Sequence, residues 1–157
     1  MVQIQNPASD VFSVDYNSDN AVIAMSSPVN GLTIAYDTAN HTTTVSEVVS
    51  GDLQQTIYRF DVKDRLVSIS GSCCGTEVEF EYDDDNNITK RTDANGNETI
   101  YTYDEKGNEL TKTDALGNTI FHSYLSKFGV VDTFIDKAGN VTVFEYDTMG
   151  NMTARHR

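Results

Sequence analysis

Tryptophan is absent from this chain, and cysteine and proline occur only twice each. Residues 1–58 contain neither Lys nor Arg, and no apolar run approaches the roughly 20 residues of a membrane-spanning helix. Each absence excludes something. With a formal net charge of −13, the chain lacks the clustered basic residues that phosphate binding needs, so no nucleic-acid partner is expected. The same shortage argues against an anionic membrane surface. The first residues lack the basic-then-apolar order of a secretion signal, so a secreted parent would carry its signal outside this chain. Cys73 and Cys74 are adjacent, with Cα atoms about 3.8 Å apart, too close for an ordinary disulfide. Without Cys-x-x-Cys or Cys/His spacing they suggest no metal. They read as reduced residues flanking a turn, with an intermolecular link as the alternative. At 157 residues the chain is long enough to bury a core. The apolar supply is modest, 38% hydrophobic and 10% aromatic, and tyrosine carries much of it.

What the chain has in abundance is one turn signal. Asp104-Glu105-Lys106-Gly107-Asn108 and Asp114-Ala115-Leu116-Gly117-Asn118 both read Asp-x-x-Gly-Asn. Aspartate opens such a turn by accepting from the backbone N–H two residues on, and glycine supplies the φ > 0 position from which the next strand resumes. Between the two turns and just before them, runs such as Thr99-Ile100-Tyr101-Thr102-Tyr103 alternate β-branched and aromatic residues as strands do. The unit is a β-hairpin.

It repeats. Tyr82-Asp83, Tyr103-Asp104 and Tyr146-Asp147 are its anchors, with Tyr124-Leu125 in the fourth place, at spacings of 21, 21 and 22. The intervening turns recur at Asp93 with Gly96, Asp114 with Gly117, and Asp136 with Gly139. Gly107, Gly129 and Gly150 close the Tyr-Asp turns, and the turn ending at Gly129 is one residue longer. Upstream the pattern weakens. Phe60-Asp61 replaces Tyr-Asp, and Cys73-Cys74-Gly75 stands one repeat before Gly96. Tyr36-Asp37-Thr38-Ala39-Asn40 keeps the motif with Asn40 expected at the φ > 0 position, and Tyr16-Asn17, closed by Asn20, is the earliest copy. A turn about every eleven residues, with nothing resembling a long amphipathic helix, predicts an all-β antiparallel meander.

These motifs resemble the Tyr-Asp repeats of the Rhs family, which also occur in teneurins and in the C components of bacterial insecticidal toxin complexes. The resemblance covers residues 55–157, with residues 1–54 as degenerate N-terminal repeats of one continuous array. It implies a curled strip of tandem hairpins, part of a hollow β-shell that encloses or presents a toxin or effector domain. It further implies a secreted or cell-surface parent, with more repeats of the shell or a C-terminal toxin domain as partners. No Asp-Pro-x-Gly self-cleavage motif is present, and the chain reads as part of an array. The cut strands near Val11–Val14 and Met152–Arg157 are then expected to be unpaired and open to self-association.

Other chemistry was weighed residue by residue. The run Asp83-Asp84-Asp85 invites Ca²⁺, but an EF-hand loop would need Gly where Ile88 stands and Glu where Ala94 stands. A solvated turn is the better account. The tyrosines and aspartates would suit a glycan-binding surface; their repeat spacing favours packing of one sheet face, each Tyr hydroxyl finding a partner. His41, His122 and His156 are scattered and no Gly-x-Ser-x-Gly occurs, so neither enzyme nor cofactor is expected. Sequons at Asn40, Asn87, Asn97, Asn140 and Asn151 follow from turn Asn preceding strand Thr. The reading is a structural shell segment; the alternative is a surface adhesion or carbohydrate-binding module.

Overall fold

The computed structural model describes residues 2–5, 11–18, 21–27, 31–71 and 77–157, with the side chains of 2–5, 11 and 12 left aside. Cys73, Cys74 and Gly75, Pro7 and Pro28, and Asn20 lie outside the described residues. Among the described residues every regular element is a strand. The chain divides into two compact units, Met1–Glu79 with Asp93–Asn95, and Phe80–Thr92 with Gly96–Arg157.

The first eight strands are β1 (Val2–Gln5), β2 (Val11–Tyr16), β3 (Val22–Ser27), β4 (Leu32–Asp37), β5 (Thr42–Val49), β6 (Asp52–Phe60), β7 (Leu66–Gly71) and β8 (Glu77–Tyr82). The rest are β9 (Ile88–Thr92), β10 (Glu98–Tyr103), β11 (Glu109–Thr113), β12 (Thr119–Leu125), β13 (Val130–Ile135), β14 (Val141–Tyr146) and β15 (Met152–His156). Strand order follows the chain from β1 to β15, and the pairings are antiparallel. This is the meander the turn spacing predicts. Short strands joined by tight turns leave no length for a crossover.

One expectation about the ends is corrected. The strand at Val11–Val14 is not unpaired: β1 lies against it, Val2 opposite Val14 and Gln5 opposite Val11. The turn signal that marks the other hairpins is missing between these two strands, so the pair could not be read from turn chemistry.

Alternation sets the faces. In β10, Thr99, Tyr101 and Tyr103 are sheltered while Glu98, Ile100 and Thr102 are exposed. In β8, Val78, Phe80 and Tyr82 are likewise the sheltered set. Sheltered does not mean buried. Among the described residues the one buried apolar side chain is Val14, 3% exposed. Among the described residues, the strand contacts within each unit join strands adjacent in the chain, and none comes from a second layer. No helix among the described residues is long and apolar enough to cross a membrane.

Bulges recur at one place in the repeat. Pairing shifts register between Asp15 and Tyr16, Arg59 and Phe60, Thr102 and Tyr103, Ser123 and Tyr124, and Glu145 and Tyr146. Each falls at the aromatic residue that precedes a Tyr-Asp turn or its variant. The extra residue lies on the returning strand, as Leu110 does between Thr111, opposite Thr102, and Glu109, opposite Tyr103. A bulge there increases local twist and re-aims the aromatic ring.

Candidate functional site

The repeated turn is a closed hydrogen-bonded clasp. Asp104 Oδ1 accepts from the backbone N–H of Lys106 (2.9 Å) and of Asn108 (2.9 Å), while Oδ2 accepts from Asn108 Nδ2 (2.8 Å). The backbone closes the same loop twice, Gly107 N–H donating to Asp104 O (3.0 Å) and Asp104 N–H to Asn108 O (2.9 Å). Gly107 sits at φ +80°, where a Cβ would be strained. Asp114, Asp136 and Asp147 make the same clasp with Asn118, Asn140 and Asn151, and Asp83 makes it with Asn87. The Asn amide and the two N–H donors hold the Asp104, Asp114, Asp136 and Asp147 carboxyls below the usual carboxylate range. Gly96, Gly117, Gly129, Gly139 and Gly150 also adopt positive φ, and Asn95 N–H reaches Asp93 Oδ1 at 2.8 Å. The Asp83 carboxylate, weighed as a calcium ligand, is a turn acceptor.

Tyrosine ties each hairpin back to the strand before it. Tyr103 on β10 donates its hydroxyl to the carbonyl of Ile88 on β9 (2.8 Å). Tyr124 on β12 does so to Glu109 on β11 (2.9 Å), and Tyr146 on β14 to Val131 on β13 (2.6 Å). In all three the acceptor lies 15 residues earlier. Burial, reinforced by the nearby Glu109 charge, pushes the Tyr103 and Tyr124 phenols up, so they remain donors. Tyr82 occupies the equivalent position at the end of β8.

Lysine joins one turn to the next. Lys106 Nζ donates to the Ser126 carbonyl (3.0 Å) and Lys127 Nζ to the Thr148 carbonyl (3.2 Å). Glycine permits the close stacking: a Cβ at Gly150 would stand 3.0 Å from Cδ1 of Phe128, and one at Gly107 3.2 Å from Asn87 Oδ1. The Asn tether and these lysines were not singled out from sequence, although the strict recurrence of Asn after Gly was the available signal.

The degenerate copies keep the geometry with other residues. Asn17 N–H donates to Ala21 O (3.0 Å) and Asn17 Oδ1 accepts from Ala21 N–H (2.9 Å), so asparagine opens the turn in place of aspartate. At Asp61 the closing residue is Arg65, whose Nε meets Asp61 Oδ2 at 2.7 Å and whose N–H meets Oδ1 at 3.0 Å. Asp64 takes the glycine place at φ +59°. The turn at Asp37 differs from expectation. Asn40 turns its amide onto Asp37 Oδ2 (2.7 Å), and the left-handed residue is His41, at φ +51°. Using Asn40 as the tether moves the φ > 0 position one residue on. Of the other histidines, His122 Nδ1 is 3.8 Å from Glu109 Oε1, and His156 Nε2 is 3.2 Å from Glu145 Oε1.

Comparison with known families places this unit. Residues 82–119 match the RHS repeat model. The match covers one full Tyr-Asp repeat and its flanking turns, about a quarter of the chain. The chain is similar in fold to a crystal structure of TcdB2-TccC3-TEV, at 12% identity and a TM-score of 0.64 over 98% of its length. A crystal structure of TcdB2-TccC3-Cdc42 is similar over 93% of the chain, at 12% identity and a TM-score of 0.58. In both, this chain spans only 9% of the matched chain's length. No curated protein matches it.

Proposed function

We propose that the chain is a non-enzymatic wall segment of an RHS-type shell that encloses or presents a toxin or effector domain. The observation that carries this is the sheet without a second layer. The repeats are closed at their turns and stapled through Tyr103, Tyr124 and Tyr146. Yet one face of the second unit keeps aromatic rings only half-sheltered among the described residues. Such a sheet suits a wall whose inner side faces other matter better than it suits a free-standing domain. The likeness to TcdB2-TccC3 structures supports the same reading at the level of fold. Its partners are further repeats, added strand by strand to open hydrogen-bonding edges, and in isolation a second copy would take that place. The parent is secreted or displayed at the cell surface. The glycan-binding alternative draws no support from the tyrosines, since three of the four commit their hydroxyls to backbone carbonyls.

Protease protection tests the proposal. The parent protein, with the coding sequence on both sides of this array, should carry a domain that resists added protease. Combining Tyr103→Ala, Tyr124→Ala and Tyr146→Ala should expose that domain. Cleavage at the same rate with the array intact and with the array deleted would refute enclosure.

A further inference from the structure

In the second unit the gap between successive Tyr-Asp turns is bridged by the chain's own ammonium groups. Lys106 and Lys127 each stand two residues after the first residue of their turn, and each donates to the carbonyl of the second residue of the next turn. The first unit contains a pair of turns built like 125–129 and 147–151. Turn 37–41 places its left-handed residue, His41, four positions after Asp37, as Gly129 follows Leu125. Turn 61–65 places Asp64 three positions after Asp61, as Gly150 follows Asp147. The lysine position in this pair is Ala39, and the carbonyl position is Val62. Alanine has no ammonium to send across.

A cavity of about 350 Å³ lies between these two turns, lined among others by Tyr36, Asp37, His41, Thr43, Phe60 and Asp64. Two aromatic rings and one open carboxylate suit a cation, since ring faces attract it and a carboxylate pairs with it; Asp37 is already engaged by Ala39 and Asn40, which leaves Asp64. No Lys or Arg is among the described residues that line it. The Asp64 carboxylate has no partner among the described residues, and only its backbone N–H is engaged, at 3.0 Å from Asp61 O. Arg65, on the same turn, is committed to Asp61.

The geometry points to a recognition site for a cationic side chain, a lysine ammonium or arginine guanidinium, presented by a partner polypeptide in the place that Lys106 and Lys127 fill elsewhere in the chain. The site stands apart from the wall reading and does not depend on it.

The test uses the ¹⁵N-labelled chain and a short peptide with one lysine and no other charge, all arms being run at one fixed pH. The peptide should shift the amide signals of residues 36–43 and 60–64, and added salt should weaken it. Its Nζ-acetylated twin should bind at least about tenfold more weakly. Ala39→Lys supplies the missing ammonium from within, so it should weaken binding at least about tenfold while the chain stays folded. Asp64→Asn should weaken it about fivefold, the scale of one partly exposed charge pair. Equal binding of the acetylated twin, undiminished binding by folded Ala39→Lys, absence of any shift, or shifts produced only by a neutral disaccharide would each overturn the site.

Discussion

Asp104 is clasped by Asn108, Asp147 by Asn151, and both turns place glycine at the left-handed position. In the first unit Asp61 is clasped by Arg65 with Asp64 in the glycine place, and Asp37 is clasped by Asn40 with His41 beyond it. These two second-unit turns are alike in sequence and in geometry; the two first-unit turns keep the clasp with other residues. In these four turns what is held constant is a carboxylate that accepts two backbone N–H bonds and one side-chain donor. Any residue that can donate from the closing position will serve, and any that tolerates φ > 0 can precede it. The cost of that latitude falls on the non-glycine residues, since αL backbone is strained for all of them.

The largest expected effect comes where glycine answers two demands at once. Gly150→Val should lose on the order of 3–4 kcal/mol, because φ +88° and the Phe128 ring both oppose a side chain. Gly117→Val meets no neighbouring atom within 4 Å and should lose about 1–3 kcal/mol from backbone strain alone. Chemical denaturation of the two variants measures the gap. Equal losses would show that turn stacking through Phe128 contributes nothing.

Next is the tyrosine staple. Because Tyr103 is half-buried, Tyr103→Ala should cost about 2–3 kcal/mol, less than a fully enclosed ring, and Tyr103→Phe about 1 kcal/mol for the hydroxyl bond to Ile88. Thr102→Ala on the exposed face should cost no more than about 0.5 kcal/mol. If Thr102→Ala matched Tyr103→Ala, the assignment of faces would be wrong by one residue.

Acid should act on both units together. Asp37, Asp61, Asp104, Asp114, Asp136 and Asp147 all have carboxyls depressed below their ordinary value of 3.8. At Asp61 the leading cause is the Arg65 backbone N–H; at the others it is the Asn side chain. A depressed folded pKa means the stabilisation is complete above the unfolded value and is lost as pH falls through the folded one. Circular dichroism should therefore hold steady at neutral pH and show unfolding below about pH 4. Asp104→Asn with Asp114→Asn should flatten that acid transition; an unchanged profile would mean the clasps do not govern acid stability.

The smallest effect should be Arg65→Asn, which installs the regular closing residue on Asp61. A melting temperature within about 2 °C of wild type is expected, since one donor replaces another at a partly exposed site. A large drop would mean that Arg65 does more than close its turn.

Much of this architecture was readable from residues. Asp104 and Gly107 announce their turn because few residues can accept from N–H groups at i+2 and adopt φ > 0. The Tyr spacing announces the tandem array, and alternation in Thr99–Tyr103 announces the faces. What stayed hidden has physical causes. The Asn108 amide is a second tether whose effect needs three-dimensional closure. Arg65 and Asn40 do the same work from residue types that seldom mark turns in this way. β1 pairs without a turn signal. The want of an enclosed core could not be inferred from 38% hydrophobic content, since that fraction is compatible with one layer or two.

The 15-residue reach of each tyrosine hydroxyl has a genetic consequence. Since Tyr124 looks no further back than Glu109, and Tyr146 no further than Val131, a repeat needs only its immediate predecessor to complete itself. Duplication or excision of a whole 21-residue unit between equivalent Tyr-Asp pairs leaves every remaining staple with an acceptor in register. Gene length can then drift in whole units while each intermediate ancestor still folds, and a nascent chain can harden hairpin by hairpin as it leaves the ribosome.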